Sequence, residues 1–408
     1  MGEIRRGANM PVQSLPRGIE MVPLRLVSQD GAITRGMLYR PAGKLARIGV
    51  HIMHPRADQT ANYTIPQLAA AGFAVLGRAG RYVHNDIAGS QEKLLLDYAA
   101  GVKYLRELGC ETVILLGNSG GGALACYYQS QARCAGGERF TDTPAGDPFD
   151  LNAFDLPPAD AISMIGSHIG EGHMLTKWLD PSLVDERDPL SCDPELDMYD
   201  PANGFAVPPA PSHYAKDFLE RFHAARQARA QRLDETARTL IASRREAARQ
   251  ATRLAERQAV LADHMVIYRT LADPAFVDPS IEPDDRAICS FNNNPRPDLD
   301  NYAASVAPFL TPEAYLSTWS GLSSRANAVA RLAEIPEPLL IVHWGGDSNT
   351  RGSELQAMID ASAATDKQAV VIPGCDHFGF RILGPGNRAD RPAEGVETIV
   401  DWARHRFG

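Results

Sequence analysis

The sequence predicts an α/β fold: a mostly parallel, twisted sheet with helices on both faces and a large helical segment inserted after the sixth strand. Three observations carry this. Short apolar runs alternate with helix-length amphipathic stretches between residues 47 and 133, and the same rhythm returns at 338–406. An antiparallel hairpin pattern precedes the first of these blocks. Between them lies a stretch that breaks the rhythm and contains a long run with neither Gly nor Pro. Strands alternating with helices imply parallel pairing, and strands covered on both faces read as continuous apolar runs.

In chain order, residues 19–28 and 32–40 alternate apolar and polar around Gln29-Asp30-Gly31, the pattern of a hairpin closed by a glycine turn. Residues 47–53 read as a buried strand, 60–71 as a helix stopped by Gly72, and 73–77 as the next strand. Residues 91–108 form a helix with Leu94, Leu95, Tyr98, Val102 and Leu105 on one stripe. The apolar run 112–116 is a strand that leads, through Gly117-Asn118-Ser119-Gly120-Gly121, into a helix beginning near Ala123. Residues 133–158 are rich in Gly, Pro and Asp and read as loop, and 159–165 as another strand. Strands at 338–344 and 368–372, with helices at 352–362 and 392–406, complete the pattern.

The expected division is therefore a core over 1–167 and 336–408, with a cap over 168–335. Within the cap, 182–211 is rich in Pro and Asp and irregular. Residues 213–272 carry Phe218, Phe222, Leu233, Ala237, Leu240, Leu254 and Leu261 near helical spacing. One straight helix of that length would span about 90 Å at 1.5 Å per residue. The expectation is a break into two antiparallel helices, or a protruding arm through which the chain forms a homo-oligomer.

The chain has 408 residues, is 44% hydrophobic and carries a formal charge of −9. That length supports a large core, and the acidic balance argues against a nucleic-acid partner or a basic membrane-surface protein. The six cysteines are scattered without a CxxC pair, which suits reduced thiols of a cytoplasmic protein better than a disulfide framework. The first residues lead into no apolar segment of a secretory signal, and Arg6 breaks the myristoylation pattern. No run approaches the length of a membrane span.

The chemistry converges on Ser119. A serine with glycines at −2 and +2, between a buried strand and a helix, sits on a turn so tight that larger flanking side chains would clash. The turn lifts the hydroxyl out of the sheet, and the Gly120 N–H at the helix start can face a developing oxyanion. A serine hydroxyl becomes a usable nucleophile only when a base takes its proton and an acid orients that base. His377 follows the last strand in Gly374-Cys375-Asp376-His377, and Asp347 follows the strand ending at Trp344. Both lie at the strand ends where open α/β sheets collect ligands. Asp376 is a rival orienter, but adjacent residues point apart. Asp347 has a rival reading as a cap for the helix near 352, and His377 as a core histidine. A second oxyanion donor is expected from the loop His54-Pro55-Arg56-Ala57. Pro55 has no N–H, so the backbone of Arg56 is assigned, with Ala57 as fallback. The Arg56 side chain either holds a substrate carboxylate or bridges to Asp58.

These residues, Gly117 to Gly121, the His54-Pro55 turn, Asp347 and His377, resemble the α/β-hydrolase superfamily, and the resemblance extends from the hairpin at 19 to the last helix. Family members often have His-Gly where this chain has His54-Pro55. A cap inserted after the sixth strand is also similar in position. The resemblance implies a Ser119–His377–Asp347 hydrolase and names no substrate; a small-molecule acyl substrate is expected, with a carboxylic ester the first choice because an alkoxide is the least demanding leaving group. Thioester, amide or C–C cleavage and acyl transfer use the same residues, and a non-catalytic binding protein on this fold is the alternative of another class. No cofactor is implied. His54, Asn118, His168 and Glu171 are candidates for the substrate pocket. His168, Glu171 and His173 lack the HExxH spacing of a zinc helix, so no metal is expected. Residues 291–295 and 315–320 are further candidates for the pocket's cap side.

Overall fold

A computed structural model describes residues 15–289, 295–382, 388–390 and 392–408. The N-terminal residues searched above for an export signal, and Phe291 to Asn294, lie outside these. Eight strands form one sheet: β1 (Ile19–Val27), β2 (Ile33–Pro41), β3 (Ile48–Ile52), β4 (Ala74–Ala79), β5 (Thr112–Asn118), β6 (Ala161–Ile165), β7 (Leu339–Trp344) and β8 (Lys367–Ile372). Their order across the sheet is β1-β2-β4-β3-β5-β6-β7-β8. Only β1–β2 and β2–β4 pair antiparallel; every other neighbour is parallel. Strands β3, β4, β6 and β7 are buried along their whole length, as strands covered on both faces must be.

Helices α1 (Ile65–Ala70), α2 (Gln91–Glu107), α3 (Gly120–Arg133), α4 (Glu171–Trp178), α5 (Lys216–Ala247), α6 (Arg253–Ala259), α7 (Gly352–Ala361) and α8 (Pro392–Phe407) are the larger or better placed helical elements. The sheet separates two apolar clusters. One gathers Leu94, Leu95, Tyr98 and Val102 of α2 with Leu124 and Tyr128 of α3. The other gathers Ile65 and Leu68 of α1 with Val396, Ile399 and Trp402 of α8. The α2 stripe expected from the sequence is thus a core stripe. Helix α1 is shorter than the pattern 60–71 implied. Asp58 and Asn62 side chains take the Thr60 and Thr64 backbone N–H groups at 2.9 Å each, so the segment before Ile65 turns instead of coiling. Gly72, with φ +98°, follows the helix as foreseen.

The segment between β6 and β7 has its own apolar cluster, in which Leu175, Trp178, Phe222, Leu233, Ala237 and Trp319 are all buried. The 213–272 stretch divides unequally. Helix α5 runs for 32 residues and turns Phe218, Phe222, Leu233 and Ala237 into this cluster of the same chain. The chain then bends, α6 starts on a Thr252 cap (Thr252 Oγ1 accepts the Ala255 N–H at 3.1 Å), and Gln258 reaches back to Ser243 at 2.9 Å. Leu254 and Leu261, placed on the apolar stripe by spacing, are exposed, because the helix has already broken before them. Residues beyond 260 form no further helix of this run.

The turn from β5 into α3 brings backbone against backbone. A Cβ at Gly117 would lie 2.3 Å from Gly122 Cα, and one at Gly121 would lie 2.5 Å from the Met53 carbonyl oxygen. Neither neighbour is a side chain that can swing aside. Gly117→Ala should therefore lower stability by about 1–3 kcal/mol, as overpacking does. Chemical denaturation monitored by tryptophan fluorescence measures it, with the midpoint falling and the slope unchanged.

Candidate active site

Ser119 follows β5 and caps the start of α3 with φ +56° and ψ −127°. A non-glycine residue holds that conformation only where its surroundings enforce it. Here the enforcement is visible: the Ser119 N–H donates to the Ile165 carbonyl at 3.3 Å. Behind it, the Asn118 amide donates to the same carbonyl at 3.0 Å, and Ser167 Oγ donates to the Gly117 carbonyl at 2.9 Å. Asn118, a pocket candidate from sequence, is therefore engaged in holding β5 to the end of β6, with Asn62 and Tyr63 as its other partners.

Three side chains remote in sequence meet at the C-terminal edge of the parallel strands. Ser119 Oγ lies 3.0 Å from His377 Nε2, and His377 Nδ1 lies 2.7 Å from Asp347 Oδ2. Asp347 is fully enclosed and also accepts the Asn349 N–H at 2.7 Å and the Thr350 hydroxyl at 2.9 Å. Burial alone would raise its carboxyl pKa, but His377 and the Asn349 N–H outweigh burial and hold it below the ordinary value. Burial likewise pulls the His377 imidazole down, and the Asp347 charge and hydrogen bond outweigh it, leaving the ring above its ordinary value. Asp376 instead accepts the Phe378 and Phe380 N–H groups at 3.0 and 3.1 Å and shapes the loop that carries His377.

The other sequence candidates divide. Gly120 begins α3, and the first N–H groups of a helix have no partner within it. The assignment of Arg56 as second oxyanion donor is corrected. Its backbone N–H and that of Ala57 both donate to His54 Nδ1, each at 3.1 Å. The Arg56 side chain pairs with Asp86, Nε to Oδ1 at 3.0 Å, and lies over the Trp319 ring at 4.9 Å. Asp58, its expected bridge, pairs with Arg35.

His54 and Glu171 reach the elbow directly. A Cβ at Gly120 would lie 2.3 Å from Glu171 Oε1 and 3.1 Å from His54 Nε2. Gly120 is thus bare because two polar side chains occupy its flank. The sequence motif attributes this glycine to the turn; the partner residues lie too far along the chain for any local pattern to reveal. Glu171 opens α4 and is buried, and its Oε2 has no hydrogen-bond partner among the described residues. Burial pushes its carboxyl up to about 7, against the pull of Arg56. Burial pushes His168 down to about 3, with His377 adding to it, and His168 Nδ1 has no partner among the described residues. His173 turns away: its Nε2 lies 3.1 Å from Glu354, which Lys177 also contacts at 2.8 Å. Among the described residues no three His, Cys, Asp or Glu side chains form a metal-binding group, and no helix is long and apolar enough to cross a membrane.

The segment between β6 and β7 joins the core through a few polar ties that the sequence did not reveal. Ser317 donates to buried Glu92 at 2.6 Å and accepts the Gln91 N–H at 2.9 Å. Arg351, at the start of α7, pairs with Asp273 of the cap at 3.2 Å. The segment 315–320 therefore packs between cap and core, with Trp319 facing Arg56.

No family model matches the sequence, and no curated protein matches it. Solved structures do. The α/β-hydrolase GrgF from Penicillium sp. sh18 aligns at 12% identity over 95% of this chain and 99% of that one, with a TM-score of 0.50. The esterase domain of a Rhodothermus marinus protein aligns at 12% identity over 95% and 98%, with a TM-score of 0.45. Brefeldin A esterase, a bacterial homologue of human hormone sensitive lipase, aligns at 14% identity over 99% and 80%, with a TM-score of 0.46. Together with the strand order and the strand–Ser119–helix turn, the likeness to the Penicillium protein identifies the architecture: this chain has the α/β-hydrolase fold.

The raised Glu171 pKa has a thermodynamic consequence. An acid whose folded pKa lies above its unfolded value contributes stability that is full below the ordinary carboxyl range and is lost as pH rises through about 7. Glu171→Gln removes that loss. The melting temperature of the variant relative to wild type should rise between pH 5 and pH 8 by about 1–2 °C, on the order expected for about 1–2 kcal/mol in a chain of this length; differential scanning calorimetry across that range measures it.

Proposed function

We propose that the protein is a serine hydrolase that cleaves a carboxylic ester through an acyl-enzyme. The observation that carries this reading is the unbroken relay from Ser119 Oγ to His377 Nε2 at 3.0 Å and from His377 Nδ1 to Asp347 at 2.7 Å. In that arrangement His377 takes the Ser119 proton as the hydroxyl oxygen attacks the acyl carbon. The carbonyl π pair moves onto oxygen, and the Gly120 N–H receives the developing charge. His377 then protonates the departing alkoxide. Water, deprotonated by the same ring, releases the acid and restores Ser119. Asp347 holds the ring with Nδ1 protonated and stabilises the imidazolium. An ester is favoured over an amide because its alkoxide leaves more readily.

Ser119→Ala should abolish p-nitrophenyl ester turnover and labelling by a fluorophosphonate probe while leaving the melting temperature nearly unchanged. A variant that keeps most of its rate would show the nucleophile to be misassigned. Asp347→Asn should cost about 10⁴-fold in kcat, by the behaviour of such triads, whereas Asp376→Asn should cost far less. The two rates measured side by side decide which acid orients His377. The pH profile follows from the same geometry. The base must be neutral, so kcat/KM should fall on the acid side with an apparent pKa above the ordinary imidazole value, because Asp347 holds His377 up. Repeating the assays with an added alcohol separates hydrolysis from acyl transfer.

A further inference from the structure

The loop after β3 supplies no free backbone donor from the residues that follow His54. Pro55 has no N–H, and the Arg56 and Ala57 N–H groups are both spent on His54 Nδ1 at 3.1 Å. Those two bonds have a chemical consequence. A ring nitrogen that accepts two N–H groups is unprotonated, so in a neutral imidazole the proton must sit on the other nitrogen. The ring is neutral: burial, reinforced by the Arg56 charge and the His168 and His377 rings, keeps its pKa well below the ordinary value. Nε2 therefore carries a hydrogen. It lies 3.1 Å from where a Cβ of Gly120 would stand, beside the helix-start N–H next to Ser119. Its closest acid is Glu171 Oε1 at 3.8 Å, beyond hydrogen-bond distance. No acceptor stands within hydrogen-bond reach of this N–H among the described residues, and the side chain keeps 8% exposure, so the donor is open to a ligand oxygen.

We propose that the His54 Nε2–H is the second donor of the oxyanion hole, standing with the Gly120 N–H where residues 55–57 offer no free backbone donor. The inference rests on the hydrolase reading above. The imidazole exchanges two backbone donors for one side-chain donor aimed at the site. When the Ser119 oxygen adds to the acyl carbon, the carbonyl oxygen takes the π pair, and both N–H groups hydrogen-bond to it. The proton of Ser119 goes to His377, and that of His54 stays on Nε2. Glu171 must be uncharged for this to work, since a carboxylate there would repel the oxyanion, and its enclosed, unpartnered oxygen favours the neutral acid.

The test uses variants that separate the two ends of the ring. In His54→Asn the side-chain oxygen replaces Nδ1 as acceptor for the Arg56 and Ala57 N–H groups, but no donor reaches the site. Its kcat on p-nitrophenyl acetate should fall about 10²–10³-fold with little change in KM. Affinity for an alkyl trifluoromethyl ketone, whose Ser119 adduct bears an oxyanion, should fall by a similar factor. A loop defect alone would raise KM and weaken ground-state ligands as well. A His54→Asn protein within about threefold of wild type in kcat and ketone affinity overturns the proposal. Independently of any variant, nitrogen-15 spectra of wild-type protein with the ketone bound should show His54 protonated at Nε2; protonation at Nδ1 also overturns it. A wild-type protein in which Ser119 neither labels nor turns over any ester overturns the function reading itself, a result distinct from a reactive wild type with an unimpaired His54→Asn.

Discussion

The site depends on how closely β5 and α3 approach one another. With φ at +56°, Ser119 sits in a conformation that costs on the order of 1–3 kcal/mol for a residue with a side chain. Gly117 and Gly121 let backbone meet backbone on either side of it, and the Ile165 carbonyl anchors its N–H. The strain points the hydroxyl out of the sheet at the level where the loops after β7 and β8 deliver Asp347 and His377. Without that approach the three groups would remain on one edge without meeting.

Burial then sorts the ionisable groups around Ser119 by their partners. Asp347 is enclosed yet stays ionised, because an imidazole and backbone donors face it. Glu171 is equally enclosed, but one of its oxygens faces no donor among the described residues, and its carboxyl is pushed up. The histidines divide the same way. His377 has a carboxylate against its ring and is raised, whereas His54 and His168 have burial and neighbouring positive groups and are lowered. The site thus holds one acid–base pair amid largely uncharged polar groups, a low-dielectric setting in which hydrogen bonds to developing charge are strong.

What the sequence reveals here follows the range of each signal. Strands and helices of the core are readable because their periodicity is local, and Ser119 because its glycines are adjacent to it. Asp347 and His377 are readable because each follows a strand, and strand ends share an edge in a parallel sheet. The donor opposite Gly120 is not, since it depends on which way the N–H groups of Arg56 and Ala57 turn. The Glu171–Gly120 contact and the Ser317–Glu92 tie join residues far apart in the chain, with no local pattern to mark them. Over 213–272 the length of the run implies a break, but alanine and arginine favour helix throughout and no Gly or Pro marks its position, so the end of α5 at Ala247 is not legible.

The segment between β6 and β7 buries Trp178, Phe222 and Trp319 in a cluster of its own, and polar ties join it to α2 through Ser317 and Glu92 and to the start of α7 through Asp273 and Arg351. Drift in the residues of that internal cluster leaves the elbow in place, whereas change at Glu171, which lies against Gly120, does not. Descendants of one ancestor can therefore diverge in the outer part of that segment while inheriting the same turn at Ser119.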